Sequence, residues 1–80
     1  MASKMAELTE YLAKALVEQP DAVKVSEREE DGRTIVHLDV AEDDLGKVIG
    51  RNGRVATALR SLMKVAAIQE DVRAGLEIGD

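Results

Sequence analysis

Cysteine is absent from this chain, which excludes a disulfide framework and any thiolate metal site. One histidine, His37, leaves a zinc or copper centre short of ligands and has no second His or Cys to make a catalytic pair. Aromatic residues are nearly missing too: Tyr11 stands alone, with no Phe or Trp. Surfaces that hold nucleic acid mainly by stacking bases on aromatic rings are therefore disfavoured, and Tyr11 reads as a partly buried packing residue. No apolar run approaches the roughly 20 residues of a membrane helix. No charged-then-apolar leader opens the chain, because Glu7 and Glu10 interrupt the first helical pattern. The expected location is the cytoplasm, with no membrane partner. Pro and Gly are too scarce for disorder, and 80 residues at 45% hydrophobic content suit one domain, 1–80, with a single core.

Acidic residues are also missing from one long stretch, although the net charge is −5. From Leu45 to Gln69 there is no Asp or Glu, while Lys47, Arg51, Arg54, Arg60 and Lys64 give that stretch +5 and leave −10 on the remainder. A basic zone on an acidic body attracts an anion at one place and repels it elsewhere.

Periodicity supplies the elements. Ser3 can cap a helix over about Lys4–Glu18 whose buried stripe would be Met5, Leu8, Leu12, Ala15 and Leu16. Pro20 stops it. Ala22–Glu29 and Thr34–Val40 alternate as strands around an Asp31-Gly32 turn, a strong hairpin signal. Val36, Leu38 and Val40 should point inward, with Ile35, His37 and Asp39 on the opposite face. Glu42, Asp43 and Asp44 suit the dipole of a short helix over about Asp43–Ile49, which would bury Leu45, Val48 and Ile49. Arg54–Ile68 is the longest helix, with Val55, Leu59, Leu62 and Ala66 as its central ridge. Its apolar arc is about twice the width a surface helix needs, so the first helix, a ligand groove or a second subunit must cover one flank. Asp71–Ile78 alternates as a third strand. The order α-β-β-α-α-β makes an α+β domain with helices on one face of a three-stranded sheet, the first two strands antiparallel and the last two parallel.

Between the two central helices lies Gly50-Arg51-Asn52-Gly53. A P-loop would need Gly-Lys followed by Ser or Thr, and Gly53-Arg54-Val55 does not supply it. A dinucleotide fingerprint would need glycine at position 48, which is Val. What remains is Ile-Gly-x-x-Gly between helices with basic residues inside and after it, the signature of a KH domain, whose turn clamps nucleic-acid backbone. Glycines there permit a tight turn and close approach of another backbone. Arg51 and Asn52 at the tip can donate to phosphate oxygens, Arg54 adds charge, and Lys47 would flank the path. Val48 and Ile49, with Val36 or Leu38, either shape an apolar groove for bases or pack in the core. No nucleophile–base pair or metal cluster is visible, so no enzymatic activity and no cofactor are expected.

The stretch LGKVIGRNGRVATALRSLMKVAA, the preceding AEDD and the chain length together resemble the small bacterial single-KH proteins of the KhpA type. The resemblance runs from the first helix through the last strand and implies a type II KH fold that binds single-stranded RNA. It also implies an RNA chaperone or regulatory role, self-association, and pairing with a larger KH-containing protein of the KhpB (Jag) type. The alternative is a protein-interaction module of KH shape in which RNA contact is incidental.

Overall fold

A computed structural model describes residues 3–79; the first two residues, expected to fray, lie outside that range. The elements are α1 (Lys4–Leu16), β1 (Lys24–Glu30), β2 (Arg33–Asp39), α2 (Leu45–Ile49), α3 (Arg54–Gln69) and β3 (Arg73–Ile78). Short 3-10 turns precede β1, α2 and α3. The sheet has the order β1-β2-β3, with β1–β2 antiparallel and β2–β3 parallel, as the connection lengths require. This is the expected mixed sheet of an α+β domain.

Local chemistry explains most of the boundaries. Ser3 caps α1, its Oγ accepting from the Ala6 N–H at 3.1 Å. Asp31 and Gly32 both take positive φ, +53° and +78°, and give the hairpin its two-residue turn. α1 ends at Leu16, two residues earlier than the periodicity predicts. The reason lies 26 positions away: the buried Asp44 carboxylate accepts from the Glu18 N–H at 3.1 Å and the Gln19 N–H at 3.0 Å, which draws the chain out of the helix. Asp44 therefore serves the end of α1, and its side chain makes no capping bond to α2. The acidic trio does stand at the helix start, as expected, but the Asp44 carboxylate is engaged by the end of α1.

The core joins Met5 and Ala13 of α1 to Val36 and Leu38 of β2 and to Leu59, Met63 and Ala67 of α3. Two stripes are rotated from their expected settings. On α1 the buried positions are Met5, Ala6, Thr9 and Ala13, whereas Ala15 and Leu16 are exposed. Thr9 fits because its Oγ1 donates to the Met5 carbonyl at 2.8 Å, so no polar atom is stranded. On α3 the buried line is Ala56, Leu59, Met63 and Ala67. Leu62, expected at the centre, is 47% exposed, and Val65 is 55% exposed. Two of the four buried α3 residues are alanines, which let the helix lie close to the sheet. Tyr11 is 73% exposed rather than partly buried.

The other face of the sheet carries an ion-pair lattice. Arg28 on β1 reaches across β2 and donates to both carboxylate oxygens of Glu77 on β3, at 3.0 and 2.7 Å. His37 on β2 sits beside them, with its ring nitrogens 3.2 Å from Glu77 and 3.4 Å from Asp39. Hydrogen bonds from Arg28, then from His37, hold the Glu77 carboxyl down at about 2. The contact with Glu77, and then that with Asp39, raises His37 against the opposing effect of burial. Ile35 shares this face yet is buried, in the row between Arg28 and Gly75.

Candidate nucleic-acid interface

Gly50-Arg51-Asn52-Gly53 forms the turn between α2 and α3, and its two glycines do different work. Gly50 has φ +77°, and a Cβ there would stand 2.5 Å from Val55 Cγ2 and 2.8 Å from the Val55 backbone nitrogen. Its bareness is what lets α3 begin. Gly53 has φ +73° and nothing within 4 Å of a Cβ, so its open side faces outward, available to a ligand. Asn52 between them is also left-handed, at φ +57° and ψ +26°, a region where Asn is tolerated better than most residues. The turn is closed by the Gly53 N–H donating to the Gly50 carbonyl at 3.1 Å and the Arg54 N–H donating to that of Arg51. No side chain caps α3, so beyond Arg54 the first-turn N–H groups have no side-chain acceptor.

Arg51, Asn52 and Arg54 are all exposed around this turn. Lys47 is directed elsewhere. Its Nζ lies 3.4 Å from Glu18 and 3.7 Å from Asp44, which ties it to the end of α1. Val48 is fully buried, as are Val36 and Leu38, so these three are core and offer no surface to a base. Ile49, expected to be buried, is instead 37% exposed beside the turn.

The cleft of the structure lies away from the groove expected around Val48, Ile49, Val36 and Leu38. A cleft of about 580 Å³ opens between α3 and β3, with Met63, Ala67 and Leu76 along it and Ile68 and Val72 toward the far end. Four cations surround it: Arg60 and Lys64 from α3, Arg33 from β2 and Arg73 from β3. Arg33 and Arg73 are register partners in the parallel ladder, which brings together residues 40 positions apart. Gly75 makes room for Arg33: a Cβ there would lie 3.0 Å from its Nη2, which is 3.5 Å from the Ala74 carbonyl. Arg60 and Lys64 were visible in the sequence as part of the basic stretch. Nothing local marked Arg33 or Arg73.

The charge arrangement separates two populations. Among the described residues, Lys4, Lys14, Arg28 and Lys47 each lie within 4 Å of a carboxylate oxygen. Arg51 and Arg54 at the turn, and Arg33, Arg60, Lys64 and Arg73 at the cleft, make no ion pair with any described residue. Lys24, on the edge strand β1, is also unpaired and stands apart from them. Six unpaired cations thus gather around the turn and the α3–β3 cleft, with Arg54 and Lys64 about 15 Å apart along the helix. No cluster of metal-ligating side chains occurs among the described residues.

The KhpA/KhpB KH-domain model matches residues 6–78. The chain belongs to the KhpA/KhpB KH-domain family. Relatives in this family named RNA-binding protein KhpA match nearly end to end. That of Caldanaerobacter subterraneus is 50% identical over 74 residues, 92% of this chain and 99% of the relative. That of Clostridium acetobutylicum is 47% identical over the same shares, and that of Halalkalibacterium halodurans is 46% identical over 95% of this chain and 100% of its own. Among solved structures, the Aquifex aeolicus Era protein, a variant bound to GDP and aluminium fluoride, superposes with a TM-score of 0.65 at 18% identity. The match covers 94% of this chain and 29% of that longer one, and it shows a shared fold alone. No helix among the described residues is long and apolar enough to cross a membrane.

Proposed function

We propose that this KH domain binds single-stranded RNA, gripping its backbone at Gly50–Gly53 and laying the adjoining nucleotides along the α3–β3 cleft. One observation carries the reading: the unpaired cations of an acidic protein are concentrated at the turn and the cleft. Phosphate oxygens would take the place of the missing carboxylates, with Arg51, Asn52 and Arg54 donating at the turn. The uncapped start of α3 adds N–H donors and the positive end of the helix dipole. Ile49 contributes apolar contact beside the turn. Lys47 and Val48 act indirectly, by fixing α2 against α1 and the core. The names of the family relatives point the same way.

A single domain of this size makes few phosphate contacts, so its binding is weak and falls with salt, by about 0.7 in log–log slope for each phosphate neutralised. A second KH unit raises affinity by joining two weak sites. Leu62 and Val65, exposed on α3, offer apolar surface for such pairing, with a second copy or with a larger KhpB (Jag)-type protein. In this reading the protein works in the cytoplasm as an RNA chaperone or post-transcriptional regulator and catalyses no reaction.

The deciding experiment compares wild type with an R51D/N52D variant in binding short single-stranded RNAs at two salt concentrations. Wild type binds, weakens with salt, and the variant loses binding while its circular dichroism and oligomeric state stay unchanged. Equal behaviour of the two proteins would refute the turn as the RNA clamp and leave the apolar surface as the working one.

A further inference from the structure

The cleft is asymmetric in its chemistry in a way that bears on which base it accepts. Every polar side chain lining it is a cation, and none is a carboxylate, amide or hydroxyl. Side-chain recognition inside it is therefore by donors alone. The backbone along the outer side of β3, an edge strand, offers both N–H and C=O groups and does not discriminate. Ile68 and Val72, the exposed apolar residues of the lining, supply an apolar wall, which suits the face of a base ring better than a phosphate, because a phosphate set against it would give up water without a replacement partner. Arg60 and Lys64 of α3, Arg33 of β2 and Arg73 of β3 line the same cleft.

We infer that the cleft is a base-reading site selective for guanine, with O6 and N7 facing an arginine fork. This rests on the RNA reading above and adds to it a base identity. Guanine presents two adjacent acceptors on one edge, the pattern a planar guanidinium matches with two parallel hydrogen bonds. Adenine carries an N6 amino donor beside N7, and cytosine an N4 amino donor, and each would direct that donor at cations with no acceptor side chain available. The lack of an acidic lining residue is thus the selective element, since it penalises the bases that need one. Arg33 passes close over the bare backbone of Gly75, and Arg73 is its register partner on β3. The selectivity is therefore a product of the β2–β3 ladder as much as of α3.

The test uses fluorescein-labelled cytidine octamers with one central guanosine, inosine, 7-deazaguanosine or adenosine, measured by anisotropy with the full chain. Inosine keeps O6 and N7 and loses only the N2 amine, so it should bind like guanosine. Adenosine and 7-deazaguanosine should bind more weakly by about fivefold or more, the discrimination expected of a bidentate pair. An R60Q/R73Q variant should bind all four alike while remaining sensitive to R51D/N52D. Equal binding of the four octamers by wild type, lost in R51D/N52D, overturns the guanine site and leaves the RNA clamp standing. Weakening for inosine with 7-deazaguanosine binding like guanosine overturns it as well, because recognition would then lie on the N2 edge. Absence of binding to every octamer removes both readings.

Discussion

Arg28 and Arg60 are the same residue type in two different settings, and the contrast divides the molecule. On the outer sheet face Arg28 is held by Glu77 and Glu30, inside a lattice that also engages His37 and Asp39. Along α3 and the cleft, Arg60 and its neighbours have no carboxylate among the lining residues. The first arrangement stitches three strands together and asks nothing of a ligand. The second gathers like charges, which repel one another until an anion arrives. Both surfaces are polar and exposed, so composition alone would not tell them apart; the distribution of the carboxylates does.

Four experiments bear on that division. The largest effect belongs to R51D/N52D, which should reduce RNA affinity below detection while the urea midpoint stays within error, because both side chains are exposed and neither supports the core. Loss of stability in that variant would break the separation. Next is Gly50→Ala, a change inside the turn with a structural outcome. Positive φ and the overlap with Val55 should together remove about 3 kcal/mol of stability in urea unfolding. Gly53→Ala, strained only by its φ, should lose about 1 kcal/mol. Third, Arg60→Gln should weaken RNA binding several-fold, with stability unchanged or improved. Arg28→Gln should leave binding alone.

The smallest effect is a pH dependence of the outer face, read as the stability difference between wild type and Glu77→Gln. Glu77 titrates lower in the folded chain than in the unfolded one. Its contribution is therefore present above pH 4.5 and fades as pH falls toward about 2. His37 is raised, so its contribution is complete below 6.5 and is lost as pH rises through the raised value. The two windows together place the best stability of this face between them. The amplitude is small because water screens these exposed groups. A pH profile identical in the two proteins would show that the lattice holds nothing together.

Local signals explain what was readable in advance. The hairpin was legible because Asp31-Gly32 is a pair that accepts left-handed backbone, and the α2–α3 turn because Gly50 and Gly53 interrupt an otherwise helical run. Element order and sheet topology followed from those punctuation marks and from the connection lengths. The rotation of α3 was not legible. Apolar residues occupy so much of that helix that several settings bury similar area, and packing on the sheet selects the one that turns alanines inward. Asp44 and Lys47 were misread for a related reason: their partners are the backbone and side chain of residues 18 and 19, which no window around position 44 contains. The cleft was hidden most thoroughly, since Arg33 and Arg73 meet only through the parallel register. Val48 showed the limit of residue type, being equally suited to a groove or a core until its burial decided.

Gly50 and Gly53 look alike in the motif but answer to different selections. A screen for expression or thermal endurance should retain Gly50, whose replacement collides with Val55, and let Gly53 drift toward Asn, which tolerates its backbone angles without meeting any neighbour. Only a screen that rewards binding should hold both. Variation at the second glycine in the absence of a ligand requirement would then record how far a lineage has relaxed its hold on nucleic acid, whereas the first would persist as long as the fold does.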